Sequence, residues 1–194
     1  MSRIDFRAVA SNPRCRGASL VEVILFIVVV GIAAGGILMV FANTTRASAD
    51  PLIRKQALAI AESLLEEIRL MPFTFCDPDD ARVATATGAF VGPAGCAATV
   101  EALGPEAGET RYAALTPFDN VNDYNGFTMA GGILDITGAP IAGLDAYSAA
   151  VAVAPLAFGG IAAADALQVT VTVTGPGNIA VTLDGIRTRY APNL

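Results

Sequence analysis

The residues with chemistry to offer are few, and one of them sits in an unexpected place. Glu22 stands inside RGASLVEVILFIVVVG (residues 16–31), where every other residue from Ala18 to Gly31 is apolar or a small hydroxyl. A carboxylate at the centre of an inserted helix costs about 2.5–3.5 kcal/mol, and less near an interface, so its position calls for a partner. Cysteines occur at 15, 76 and 96, and CDPDD (76–80) sets Asp77, Asp79 and Asp80 close together. Neighbouring carboxylates can share acid–base work, but on a turn-like segment these three read as solvated loop charges. Histidine is absent, which removes the commonest general base, the Ser-His and Cys-His pairs and any His-ligated metal site. The sequence contains no G-x-S-x-G and no phosphate-binding loop. No enzymatic activity, cofactor or metal is expected.

A second polar group, FDNVNDYNGF (118–127), raises the question of calcium. Counting back from Gly126 puts Val121 where the EF-hand pattern requires its first Asp. Asx turns account for the Asn and Asp cluster without a metal. Charge elsewhere points away from nucleic acid. The net charge is −6 over 194 residues, and Arg3, Arg7, Arg14 and Arg16 all lie before the apolar run, leaving a still more acidic body whose only lysine is Lys55. Such a body makes a poor phosphate-backbone ligand.

The element that must position Glu22 is the run that follows it. From Val23 to Thr45 no residue is charged. As a helix that stretch is roughly 34 Å long, against about 30 Å of hydrocarbon, which predicts a single membrane span. Four arginines precede it and only Arg46 follows closely, so the N-terminus is expected in the cytoplasm. A removed signal peptide is the rival, with ASAD (47–50) offering a cleavage site. Its apolar region would be far longer than the usual stretch of about 7–15 residues, and Arg46 would intervene.

The order of these features resembles the processing site of type IV prepilins and pseudopilins: basic leader, Gly17, small residue Ala18, Glu22 five residues beyond the glycine, uninterrupted span. The resemblance implies that a prepilin peptidase cuts between Gly17 and Ala18 and N-methylates the new amine. The family's usual first mature residue is Phe, where this chain has Ala18. The resemblance further implies that Glu22 of an incoming subunit pairs with the first-residue amine of its neighbour during assembly. SADPLIRKQALAIAESLLEEI, PFTFCDPDD, FDNVNDYNGF and GIRTRYAPNL are similar to a minor pilin of the mannose-sensitive haemagglutinin (MSHA) type. Expected partners are then the peptidase, other pilin subunits, the assembly machinery and the membrane. The expected location is the bacterial inner membrane, with the C-terminal domain periplasmic, and later an extracellular pilus. A type II secretion minor pseudopilin, or a permanently anchored periplasmic binding module, is the alternative. Loss of the leader would also remove Cys15 and leave Cys76 and Cys96 in an oxidising compartment, where a disulfide is expected. Two separate buried thiols are the alternative there.

Four segments follow: a leader at 1–17, a span at 18–45, an amphipathic continuation of the helix at 46–70, and a β-rich globular domain at 71–194. Asp50 and Pro51 are a helix-start signal, so a kink or short break is expected there. Ile53, Ala57, Ile60, Ala61, Leu64 and Ile68 then recur at three- and four-residue spacing, with Glu62, Glu66 and Arg69 on the opposite face. MPF (71–73) should end the helix. Arg54 and Lys55 near its start and Glu66 and Glu67 near its end run against the helix dipole. Either they form a solvated face or they pair with neighbouring subunits in a filament. Gly31 and Gly35 form a small-xxx-small pair that lets helices approach closely, although glycine is also common in spans. Residues 76–118 show no sustained period. LQVTVTV (167–173) and IAVTL (179–183) alternate about TGPGN, predicting a β-hairpin, and AYSAAVAVAPL (146–156) predicts a third strand. An antiparallel sheet packed against the amphipathic half of a long N-terminal helix is an α+β fold.

Overall fold

The computed structural model describes Gly17 and residues 19–189. Helix α1 (Leu20–Leu70) is followed by an irregular stretch, a short 3-10 helix (Val121–Tyr124), and strands β1 (Thr128–Met129), β2 (Ser148–Pro155), β3 (Ala166–Gly175) and β4 (Ile179–Thr188). The strands form one antiparallel sheet in the order β1-β2-β3-β4. This is an α+β architecture. Contacts divide the chain into two units, Met1–Ala47 and Ser48–Leu194.

In the second unit, the alternation in the sequence becomes a one-sided sheet. Ala149, Val151 and Val153 of β2 and Leu167, Val169, Val171 and Val173 of β3 are buried, and the residues between them are more open to solvent. Register places Val151 opposite Val171, Val153 opposite Val169, and Val173 opposite Val181. These side chains therefore stack on one face, since pleating sends successive residues to opposite sides. The part of α1 within this unit supplies the other layer through Ala57, Ala61, Leu64, Leu65 and Ile68, which join the same core. Two glycines allow this close approach. A Cβ at Gly185 would lie 2.9 Å from Leu65 Cδ1, and one at Gly175 would lie 2.9 Å from Ile53 Cγ2.

Helix α1 ends where the sequence indicates: Met71 N–H donates to the Ile68 carbonyl at 3.1 Å and the chain turns out through Pro72. At Pro51 the expected break is absent. The backbone stays helical through Asp50 and Pro51, so Asp50 is not an N-cap there. An interior proline removes one backbone donor and crowds the carbonyl one turn earlier, at a cost of about 3 kcal/mol, yet the helix runs on through it. Tyr147 Oη donates to Gln56 Oε1 at 2.8 Å, tying the start of β2 to the helix 91 residues earlier in sequence.

Candidate functional site

Gly17 is exposed, and a Cβ built on it would meet no atom within 4 Å. Ala18, the other expected processing residue, lies outside the described residues, as do Cys15 and the arginines of the leader. Ser19 opens α1: its Oγ accepts the Val21 N–H at 3.3 Å and its carbonyl accepts the Val23 N–H at 3.1 Å. This is N-cap behaviour, and Glu22 falls three residues later, the spacing of a capping box. A first-turn carboxylate also meets the positive end of the helix dipole, worth roughly 0.3–1 kcal/mol. Glu22 therefore has a local reason for its place that the apolar run alone does not reveal. That contribution is smaller than the cost of carrying a charge into lipid, so it leaves room for a further partner.

Beyond Glu22 the helix is apolar on every side. Leu20–Ala42 is 23 residues long, long and apolar enough to cross a membrane, and none of it is buried within the protein. Gly31, Gly35 and Gly36 all face open space. A helix that is hydrophobic all round needs an apolar surrounding, and among the described residues the chain supplies none.

Compared with protein-family models, curated proteins and solved structures, the chain matches none of them.

In the domain, several expected surface charges prove to be structural. Cys76 and Cys96 form a disulfide that closes 20 residues of irregular chain. Asp80 is buried beside this bridge, contrary to its reading as a solvated loop charge. Its Oδ1 accepts N–H groups from Arg82 at 2.8 Å and Ala97 at 2.9 Å, and its Oδ2 accepts from Ala98 at 2.7 Å and Thr99 at 2.9 Å. These backbone donors hold the carboxyl well below the usual carboxylate range. Disulfide and carboxylate together pin both ends of a loop that lacks a sheet ladder.

Glu67 is a second correction. It belongs neither to a solvated helix face nor to a surface left free for neighbouring subunits. Arg111 donates to it through Nε and Nη2, each at 2.7 Å, and Tyr124 Oη donates to Glu67 Oε1 at 2.8 Å. The Arg111 side chain is 5% exposed and that of Glu67 21%. The remaining Arg111 nitrogen, Nη1, donates to the Asp135 carbonyl at 3.0 Å. Bidentate Arg–carboxylate geometry of this kind fixes orientation as well as charge. The pair ties α1 to the loops before β1 and between β1 and β2. Glu62, Glu66 and Arg69 are exposed, as the helical spacing predicts.

The Asx geometry expected at 118–127 is present. Asn120 caps the 3-10 helix, its side chain accepting from Asn122 N–H, and its Nδ2 donates to Thr74 Oγ1 at 2.8 Å. Asp123 reaches back so that its Oδ2 accepts the Asp119 and Asn120 N–H groups at 2.9 and 2.7 Å.

Proposed function

We propose that this chain is a subunit of a type IV pilus, of the MSHA-like minor pilin class. It is first held in the inner membrane by the Leu20–Ala42 helix and then drawn into a filament or its tip. The observation that carries this reading is the wholly exposed apolar helix segment with Glu22 in its first turn, joined in sequence to a domain in which the same helix lines an antiparallel sheet. An isolated span would serve as an anchor without the carboxylate.

The roles follow from the chemistry. Gly17, exposed and without a side chain, would leave a peptidase room to reach the bond before Ala18. Cleavage frees an α-amine whose reference pKa is about 7.7–8.0, largely protonated at neutral pH. That cation at one subunit's helix start and Glu22 on the next attract strongly where water is scarce, and pairing offsets part of the desolvation each suffers alone. Because the pair forms at one axial offset, it sets the register of neighbouring helices. Gly31, Gly35 and Gly36 let those helices come close.

N-terminal sequencing and intact mass of protein recovered from sheared surface filaments test the reading. The expected species begins at Ala18 and carries one methyl group on its amine. A species beginning at Asp50 would establish a secreted protein instead. Retention of the whole processed pool in the inner membrane would favour a permanently anchored module.

A further inference from the structure

The two edges of the sheet end differently. On one side β1 is two residues long and is soon followed by Gly131 and Gly132. On the other, β4 runs for ten residues, each paired in unbroken register with β3. Among the described residues β3 is its one strand partner, and no backbone hydrogen bond of residues 179–186 runs elsewhere. In an antiparallel ladder about half of the N–H and C=O groups point away from the partner strand. The outer side of β4 is therefore a row of donors and acceptors left to solvent. Edge strands are ordinarily guarded by lysine, proline, a bulge or a covering loop. Strand β4 contains no lysine and no proline, and its register shows no bulge. Asp184 turns toward the sheet: its Oδ1 accepts from Thr170 Oγ1 at 2.6 Å and from Gln168 Nε2 at 3.1 Å.

The helix above this edge is open on the same side. A Cβ at Gly185 would lie 2.9 Å from Leu65 Cδ1 and 3.5 Å from Arg69 Cδ, so this flank of α1 overhangs β4. Along it runs a concavity of about 450 Å³ lined by Glu62, Leu65, Glu66, Arg69 and Leu70. Leu70 is 77% exposed, an apolar side chain that the domain itself does not cover. The opposite flank is closed, with Glu67 held by Arg111 and Tyr124. A fifth strand beside β4, about 4.8 Å away, would send every second side chain toward the open flank. There it would meet Leu65 and Leu70, two carboxylates and one guanidinium.

We propose that β4 is a docking edge for an extended, basic segment of another protein, which adds to the sheet as a fifth strand. Only an extended chain matches a row of backbone groups at strand spacing, so the edge selects the conformation of its partner. In such strand addition main-chain bonds supply affinity and alternate side chains supply specificity. Lysine or arginine at the helix-facing positions of the segment pairs with Glu62 and Glu66, which outnumber Arg69 in the concavity. A second copy of this chain does not fit. The twofold that pairs two β4 strands antiparallel keeps both helices on one face of the joined sheet. It turns Glu62 and Glu66 of one copy toward those of the other, on chains of net charge −6. Like charges so placed oppose pairing.

The test places photoreactive benzoylphenylalanine at Thr182, and separately at Ala180, in the full chain made in its native cells. Both positions are exposed on β4. Irradiation should join the chain to a different protein, and mass spectrometry of the product should map the junction to a segment carrying lysine or arginine. A synthetic peptide of that segment should bind the purified full chain in micelles. It should slow amide hydrogen exchange in β4 by about tenfold or more while leaving β1 unchanged. The Glu62→Lys/Glu66→Lys double variant reverses the charge of two exposed positions, and circular dichroism checks that its fold is kept. It should cut both the photoproduct and the peptide affinity by about tenfold or more. Five results would overturn the proposal: no product from either position, a product made only of two copies of this chain, a mapped segment without a basic residue, a peptide that leaves exchange in β4 unchanged, or full binding by the double variant. The exchange measurement on the unmodified chain decides the matter even if the variant misfolds.

Discussion

The two units of this protein leave opposite things uncovered. From Leu20 to Ala42 the chain presents apolar side chains on every face of a helix and buries none of them. From Ser48 onward the same helix turns one stripe inward, covers a four-stranded sheet, and satisfies a half-buried Glu67 with Arg111 and Tyr124. Among the buried atoms without a hydrogen-bond partner in that domain are carboxylate oxygens of Glu101, Glu106, Asp119 and Asp123. The difference teaches where each unit looks for its complement. One needs an apolar surrounding, lipid or other helices; the other crowds carboxyls whose charged form burial and mutual repulsion disfavour. In both, the demand is read from groups whose desolvation or exposure the chain does not compensate by itself.

The contrast can be broken most severely at Glu67. Glu67→Ala leaves the Arg111 guanidinium buried without its carboxylate, and a loss of about 3–5 kcal/mol is expected in urea unfolding of the full chain in micelles. Glu66→Ala, one position away on the exposed face, should change stability by less than about 0.5 kcal/mol. An equal effect at both positions would remove the distinction between the inward and outward faces of this half of the helix.

Next in size are two changes, one in each unit. Cys96→Ser opens a loop of 20 residues, which on the chain-entropy model costs about 3 kcal/mol and should appear in the same denaturation measurement. Val30→Asp sets a charge in the middle of the exposed apolar run, at a cost of about 2.5–3.5 kcal/mol in an inserted helix. It should lower the membrane-retained fraction while leaving the unfolding midpoint of the domain unchanged. A domain destabilised by Val30→Asp would mean that the segment supports the fold rather than serving as a membrane or subunit surface.

A graded response to pH sharpens the other side of the comparison. In the folded chain, burial and like charge raise Glu101 to about 9, Asp119 and Glu109 to about 7, and Asp123 to about 6, all above ordinary values of 3.8–4.5. The folded state therefore binds protons more tightly than the unfolded state. That contribution is fully present below about pH 4 and is lost as pH rises through the folded values, so stability should fall between about pH 4 and 9. Asp80 runs the other way: its lowered pKa makes its contribution disappear on acidification below the ordinary carboxyl range. Melting curves across this interval should show that decline. A flat profile would contradict the raised carboxyls.

Much of the fold was legible in the sequence because its signals are local. The apolar run, the three- and four-residue stripe up to Ile68 and the alternation of β3 and β4 each repeat within a few residues, and the structure places their elements there. Strand β1 is two residues long and offers no period to detect. The continuation of the helix to Leu70 follows the stripe, but at Pro51 the helix-start signal Asp50-Pro51 does not open a break, because the helix is already under way. The site residues divide by the same rule. Gly17 and Glu22 are marked by their spacing in one segment. The role of Asp80 rests on N–H groups up to 19 residues away, and that of Glu67 on Arg111, 44 residues distant. The acidic cluster gathers positions from 77 to 123, so the short FDNVNDYNGF pattern, taken alone, could not display it.

The central claim is that Glu22 acts between subunits rather than only as a first-turn cap. Glu22→Gln keeps size and much of the hydrogen-bonding capacity of the capping position while losing the charge. The measurement is recovery of the processed variant in sheared filaments relative to its membrane pool, beside the unmodified chain. The account predicts normal insertion and cleavage with a loss of incorporation of about tenfold or more, the effect of at least about 1.4 kcal/mol at the pairing step. Recovery in filaments equal to that of the unmodified chain would contradict it.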